Sequence, residues 1–234
     1  MNVVITGASR GLGKAMADGF AARGNNLFLS SQHDLHLYKA VEDLMLRYPN
    51  VTTKARPFDL SMQGQARSLG QWILESGVVP DVLINNAGQF LPGSVYNEEE
   101  GTLEKLIEVN LYSAYHLTRT LLPSMMKQKR GHIFNICSIA SLNAYENGGS
   151  YSISKFALAG FSKNLREEMK PYGIRVTAVY PGAAYTDSWA LTGIDRTRFM
   201  EAEDIAEMVI ASSGLSPQAC VEDIILRPQA GDIE

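Results

Sequence analysis

Apolar positions along this chain follow two alternating periods. Short runs rich in β-branched and other apolar residues, at 2–6, 26–30, 51–58, 82–85, 132–137, 175–179 and 221–226, predict strands. Between them, apolar residues recur at three- and four-residue spacing near 12–23, 34–48, 62–76, 99–127, 151–171 and 202–213, which predicts helices. Strands alternating with helices of this length form right-handed βαβ units, and such units build a parallel sheet covered on both faces. The expected fold class is therefore α/β and doubly wound, with about seven parallel strands. Ser61 precedes an amphipathic run and is expected as its N-cap; Pro171, Gly173 and Gly131 fall where helices give way to strands. From Pro181 to about position 200 the periodicity fades, so a loop or small lid over a substrate is expected at about 183–200.

Composition narrows this picture. With 234 residues, 45% of them hydrophobic, and no Pro/Ser-rich linker, one domain over 1–234 is expected. The formal charge of −4, with acids and bases interspersed, gives no footprint for nucleic acid or a membrane surface. Residues 1–6 carry no basic segment of the signal-peptide kind, and no apolar run approaches bilayer length. Cys137 and Cys220 lack metal-ligand spacing. A cytoplasmic protein acting on small molecules, with no metal, is the expectation.

In a doubly wound sheet, ligands bind beyond the carboxyl ends of the strands, so residues that follow strands carry the information. The first strand runs into Thr6-Gly7-Ala8-Ser9-Arg10-Gly11-Leu12-Gly13 and then a helix. Gly7 permits a tight exit, Gly11 lets the backbone approach a diphosphate, and Gly13 lets the helix pack close to the sheet. Exposed N–H groups and the helix dipole then attract the anion. The second strand ends in Ser30, Ser31 and Gln32 with no acid to hold a ribose 2′-hydroxyl, while Arg10 is available for a 2′-phosphate. This favours NADP(H) over NAD(H).

Tyr151 and Lys155 lie four residues apart on an expected helix, so their side chains share a face. Alone the spacing says little, since roughly 0.4 Tyr-x-x-x-Lys matches are expected by chance in such a chain. Its company is more specific. "INNAG" with Asn86, Ala87 and Gly88 follows the fourth strand, "VNL" with Asn110 sits on the next helix, and "ICS" with Ser138 ends the fifth strand. "YPG" with Pro181 and Gly182 ends the sixth. This ordered set resembles the short-chain dehydrogenase/reductase superfamily over nearly the whole chain, and the resemblance implies a single Rossmann-type domain.

The chemistry of the residues agrees with that resemblance. Carbonyl reduction needs a hydride donor, a proton donor for the oxygen and a group to polarise it. A lysine cation beside a phenol is expected to lower its pKa, making Tyr151 the acid for reduction and the base for oxidation, with the Ser138 hydroxyl holding the substrate oxygen. The resemblance further implies that Lys155 also holds the nicotinamide ribose and that Asn110 anchors a water linking Lys155 to solvent. It also implies cofactor contacts from Ser9, Leu12, Ser31, Leu60, Pro181 and Gly182, from Asp59 toward adenine, from Asn86 to Gly88 on the adenosine side, and from Thr186 near the carboxamide. An Asp59 that caps the following helix would look the same in sequence.

Other chemistries find less support. No Gly-x-Ser-x-Gly elbow accompanies the serines, and His33, His36, His116 and His132 are not spaced as metal ligands. The acid run Asn97 to Gly101 is read as complementing the dipole of the helix it begins, and Tyr112 and Tyr115 as filling a helix interface. Phe90, Leu91, Tyr145, Tyr185 and Trp189 are candidates to line a pocket for a small, partly apolar carbonyl compound. Alternatives are reduction of 3-oxoacyl thioesters of the fatty-acid type and a non-catalytic NADP(H)-binding sensor. The resemblance implies a homodimer or homotetramer, through the helices near 99–127 and 151–171; Leu117, Leu121, Phe156 and Phe161 are apolar there but are equally suited to face the sheet.

Overall fold

Val3 and Ile5 point to one side of the sheet and Val4 to the other, and all three are buried, which is what a strand covered on both faces requires. The computed structural model describes residues 1–186 and 193–233. Its strands are β1 (Asn2–Thr6), β2 (Asn26–Ser30), β3 (Thr53–Ala55), β4 (Val82–Asn85), β5 (Gly131–Ile136), β6 (Ile174–Pro181) and β7 (Asp223–Leu226). They pair in parallel in the order β3-β2-β1-β4-β5-β6-β7. The order reverses between β1 and β4, which places the crevice for a ligand above those two strands.

The helices are α1 (Gly11–Ala22), α2 (Asp34–Arg47), α3 (Gln65–Glu75), α4 (Thr102–Ile107), α5 (Ser113–Gln128), α6 (Gly149–Met169) and α7 (Ala202–Ser213). Met16 and Phe20 of α1, Leu37 and Leu44 of α2, and Ile205 and Val209 of α7 cover one face. Leu69 and Ile73 of α3, Leu117, Leu121 and Met125 of α5, and Leu165 and Met169 of α6 cover the other. Each such side chain contributes about 1.5–3 kcal/mol on burial. Leu117 and Leu121 thus face the sheet, whereas Phe156 is exposed and Phe161 is partly buried.

Three sequence expectations change, and a fourth falls partly outside the described residues. The third strand is shorter than 51–58: Pro57 has no N–H to donate, so beyond Ala55 only Arg56 and Phe58 bond back to Leu29 and Ser31. The third helix begins at Gln65, after Gly64 at φ +86°, so Ser61 caps no helix; its N–H and hydroxyl both donate to Asp59, closing a turn. The helix expected over 99–127 begins only at Thr102, behind Gly101 at φ +87°. It is broken by a π-helical turn over Glu108–Tyr112 that joins α4 to α5. Finally, of the expected lid over 183–200, residues 187–192, Trp189 among them, lie outside the described residues; on either side of them, Ala184 pairs with Met200 and the Tyr185 N–H donates to the Met200 carbonyl.

Candidate active site

Two segments build the glycine turn after β1. Gly11 stands at φ +54°, a conformation that disfavours a side chain, and a Cβ there would approach Thr186 Cγ2 to 3.3 Å. At Gly13 a Cβ would stand 2.1 Å from the Gly7 carbonyl oxygen, so only glycine lets α1 start this close to the strand. Asn86 holds the turn from beside it: its side-chain amide donates to the carbonyls of Thr6 and Gly7, at 2.9 and 3.2 Å. The Thr6 hydroxyl in return accepts from the N–H groups of Asn86 and Ala87. The turn and the "NNAG" strand end are thus one hydrogen-bonded unit, and the side chain of Asn86 is spent on supporting it.

Around this unit the remaining cofactor candidates separate. Ser9 and Ser31 share a hydroxyl hydrogen bond of 2.8 Å, tying the glycine turn to the end of β2. Arg10 is exposed at the start of α1. Leu12 and Leu60 pack their side chains into the core clusters, leaving their backbones for any ligand. Burial pushes the Asp59 carboxyl up, but bonds from Ser61 and from Gln32, at 3.1 Å, hold it below the usual range. Pro181 ends β6, and the Gly182 N–H bonds to the Leu226 carbonyl at 2.8 Å.

Ser138, Tyr151, Lys155 and Asn110 come from three different stretches; Asn110 and Lys155 meet beside Gly88, and Ser138 faces the Tyr151 hydroxyl. Asn110 lies in the π-helical turn, 1% exposed. Its Oδ1 accepts from the Gln89 N–H at 2.8 Å, and its Nδ2 donates to the Gln89 carbonyl and the Ser154 hydroxyl. Lys155, also buried, donates its ammonium to the Ile136 carbonyl at 2.9 Å, at the end of β5 next to Ser138. A Cβ built on Gly88 would stand 3.0 Å from Asn110 Oδ1 and 3.4 Å from Lys155 Nζ, which measures how closely the two flank that glycine. Ser138 is fixed by an ST turn in which its hydroxyl accepts from the Ala140 N–H.

The electrostatics differ from the sequence expectation. Burial pushes the Tyr151 phenol up to about 12, and the facing Ser138 hydroxyl pulls it back only in part. Burial likewise brings the Lys155 ammonium down to about 8. Lys155 lies 5.9 Å from the Tyr151 ring centre and spends a proton on Ile136, so its charge does not offset the desolvation of the phenol. The Tyr151 phenol is therefore neutral at neutral pH.

Of the expected pocket residues, Phe90 meets the Tyr151 ring edge-on, 4.8 Å between centres, and is 45% exposed. Tyr145, similarly exposed, lies near enough to oppose ionisation of Tyr151. Leu91 is partly buried, while Tyr185 meets Phe199 edge-on, 5.7 Å between ring centres, and lies under the Arg196 guanidinium. Three residues that support this site were not read from the sequence. Gln89 and Ser154 hold Asn110, and Glu98 bonds to Ser150, which precedes Tyr151. Only the position of Ser154, adjacent to Lys155 and one helical turn from Tyr151, carried any signal.

His132 is buried, bonded to Thr177 at 2.7 Å and held neutral by burial, which pushes it down to about 3; it lies in the sheet and away from these groups. Among the described residues no group of three or more His, Cys, Asp or Glu could hold a metal ion, and no helix is long and apolar enough to cross a membrane.

Residues 1–196 match the family model described as short chain dehydrogenase. The chain is 33% identical over 240 aligned positions to a sepiapterin reductase of Chlorobaculum tepidum, an alignment that covers 99% of this chain and 98% of that one. Among solved structures it superposes on an alcohol dehydrogenase from Thermococcus sibiricus complexed with 5-hydroxy-NADP, with a TM-score of 0.90 and 26% identity over 100% of this chain and 98% of that one. The L-sorbose reductase of Gluconobacter frateurii, complexed with NADPH and L-sorbose, gives a TM-score of 0.89 and 25% identity over 97% and 95% of the two chains. With a family model matched over most of its length and a full-length relative above 30% identity, the chain belongs to the short-chain dehydrogenase family of oxidoreductases.

Proposed function

We propose that the protein is an NADP(H)-dependent oxidoreductase that interconverts a carbonyl group and a secondary alcohol on a small, partly apolar substrate. The observation that carries this reading is the convergence of the Tyr151 phenol and Ser138 hydroxyl with buried Lys155 and Asn110, next to the glycine turn. The turn fits a dinucleotide: Gly7 and Gly11 take positive φ, and Gly13, where a Cβ would stand 2.1 Å from the Gly7 carbonyl oxygen, lets α1 start close behind the strand with the N–H groups of its first turn at the sheet's carboxyl edge, where a diphosphate would bind. Gly7, Gly11 and Gly13 would hold that group, Ser9, Arg10 and Ser31 the adenosine phosphate end, and Lys155, Gly182 and Thr186 the nicotinamide end. Binding of NADP(H) by the solved relatives supports this assignment.

When bound, the nicotinamide supplies or accepts the hydride. The chain's own residues manage the proton and the charge. Ser138 donates a hydrogen bond to the substrate oxygen and keeps it within reach of Tyr151. Tyr151, neutral at physiological pH, gives its proton to that oxygen as negative charge develops. Lys155 remains largely cationic below about pH 8 and stabilises the phenolate left behind, and Asn110, bonded to both backbone groups of Gln89, fixes the loop beside Gly88. Phe90 and Tyr145 give the mouth of the site an apolar, aromatic character. A second copy packed on α5 and α6 is the expected assembly, supported by the exposed Tyr112, Ile153 and Phe156, and light scattering measures it.

Tyr151→Phe tests the reading. NADPH consumption with a carbonyl substrate found by screening is expected to fall on the order of 100- to 10,000-fold, with NADPH affinity preserved. Turnover near that of the wild type removes Tyr151 from the chemistry.

A further inference from the structure

The start of α6 lacks a cap of its own. Asn147-Gly148 lead into it and Gly149 is its first residue, with Asn147 at φ +58° and Gly149 at φ +33°, and Gly148 at the cap position offers no side chain to the N–H groups of the first turn. A carboxylate from 52 residues upstream takes that place. Glu98 Oε2 accepts from the Ser150 N–H at 3.2 Å, and Oε1 accepts from the buried Ser150 hydroxyl. Two further bonds tie the same loop to the same turn: Gly93 N–H to the Asn147 carbonyl at 3.0 Å, and the Ser94 hydroxyl to Asn147 Oδ1 at 2.8 Å. The approach is close, because a Cβ on Gly149 would stand 2.3 Å from the Gly93 carbonyl oxygen. The loop that Glu98 anchors also carries Phe90 onto the Tyr151 ring.

We propose that Glu98 is a positioning residue: by latching the 89–98 loop to the first turn of α6, it fixes the Tyr151 phenol against Ser138 and Phe90. This rests on the assignment of Tyr151 as the acid/base. Ser150 and Tyr151 are consecutive, so a first turn that frays displaces the phenol directly. Its neighbours Glu99 and Glu100 are exposed and serve as internal controls.

The test uses the full chain with NADPH and a screened carbonyl substrate. Glu98→Ala is expected to lower kcat on the order of 10- to 100-fold through misplacement of the phenol. Glu98→Gln, which keeps an acceptor for the Ser150 N–H, is expected to recover most of that loss, and Glu99→Ala and Glu100→Ala to change nothing. In a Tyr151→Phe background, Glu98→Ala is expected to add little, because two residues that act as one unit are not additive. Independently of turnover, hydrogen exchange of the Ser150 and Tyr151 amides is expected to quicken in Glu98→Ala and not in Glu98→Gln. Unchanged kcat or unchanged exchange in Glu98→Ala, or losses that multiply with Tyr151→Phe, overturn the proposal. Failure of the underlying assignment looks different: Tyr151→Phe alone would keep its turnover.

Discussion

The two halves of the sheet's carboxyl edge are built in different ways. On the glycine side, the turn after β1 is held mainly through the backbone: Asn86 donates to the Thr6 and Gly7 carbonyls, the Thr6 hydroxyl accepts from two backbone N–H groups, and the Ser9–Ser31 hydroxyl bond ties the turn to β2. On the other side, Ser138, Tyr151, Lys155 and Asn110 depend on side-chain bonds to Ala140, Ile136, Gln89 and Ser154, and α6 depends on distant Glu98. The first half presents a fixed backbone surface suited to an invariant ligand group such as a diphosphate. The second holds titratable side chains at set positions around a mouth whose aromatic lining, Phe90 and Tyr145, is exposed. Damage to the first half should therefore appear in cofactor affinity and stability, and damage to the second in turnover.

The largest expected effect tests the second half. Lys155→Met keeps the apolar bulk but removes the buried ammonium and its bond to Ile136; turnover is expected to fall on the order of 100- to 10,000-fold, with a far smaller change in melting temperature. Steady-state kinetics beside thermal unfolding check this, and a loss of stability that accounts for the loss of rate would erase the distinction between the halves. Next comes pH. Because Tyr151 is pushed up to about 12, its acid form is present throughout the neutral range, and the base form needed for alcohol oxidation grows about tenfold per pH unit below that value. Oxidation is expected to rise with pH from neutrality, while reduction falls as Lys155 loses its charge through about 8. Oxidation that falls, or reduction that rises, as pH increases above neutrality would contradict the proton assignment.

On the glycine side, Gly13→Ala forces α1 away from the Gly7 carbonyl and is expected to cost about 1–3 kcal/mol of stability, together with NADPH affinity measured by fluorescence titration. The smallest expected effect is that of Arg10→Ala. NADPH binding should weaken about tenfold, the scale of one exposed charge-assisted contact, with NADH binding unchanged. Equal losses for both cofactors would place Arg10 away from the 2′-phosphate.

The same contrast explains what the sequence made legible. Seven strands and the glycine turn are written in local patterns, alternation and spacing, and they stand close to where expected, apart from β3, which covers only Thr53–Ala55 of the expected 51–58. The four converging residues were also legible because each follows or faces a strand end. Glu98 was not. Lying three residues before Gly101, it was read as serving the helix just after it, yet it serves α6, because Gly101 turns the chain and the loop folds back toward Asn147. Nor was the charge balance legible: spacing puts Lys155 beside Tyr151 but says nothing of burial, which sets both pKa values in directions that the pair alone does not predict. Ser61 failed for a related reason, since only the fold shows that Gly64 delays the helix.

The central claim is most directly tested on the purified wild-type protein by titrating NADPH and NADH in parallel and then following NADPH oxidation across a panel of small, partly apolar carbonyl compounds. The account predicts tighter binding of NADPH and its consumption with at least one member of the panel. Tight NADPH binding without consumption across the whole panel, or a preference for NADH, would contradict it.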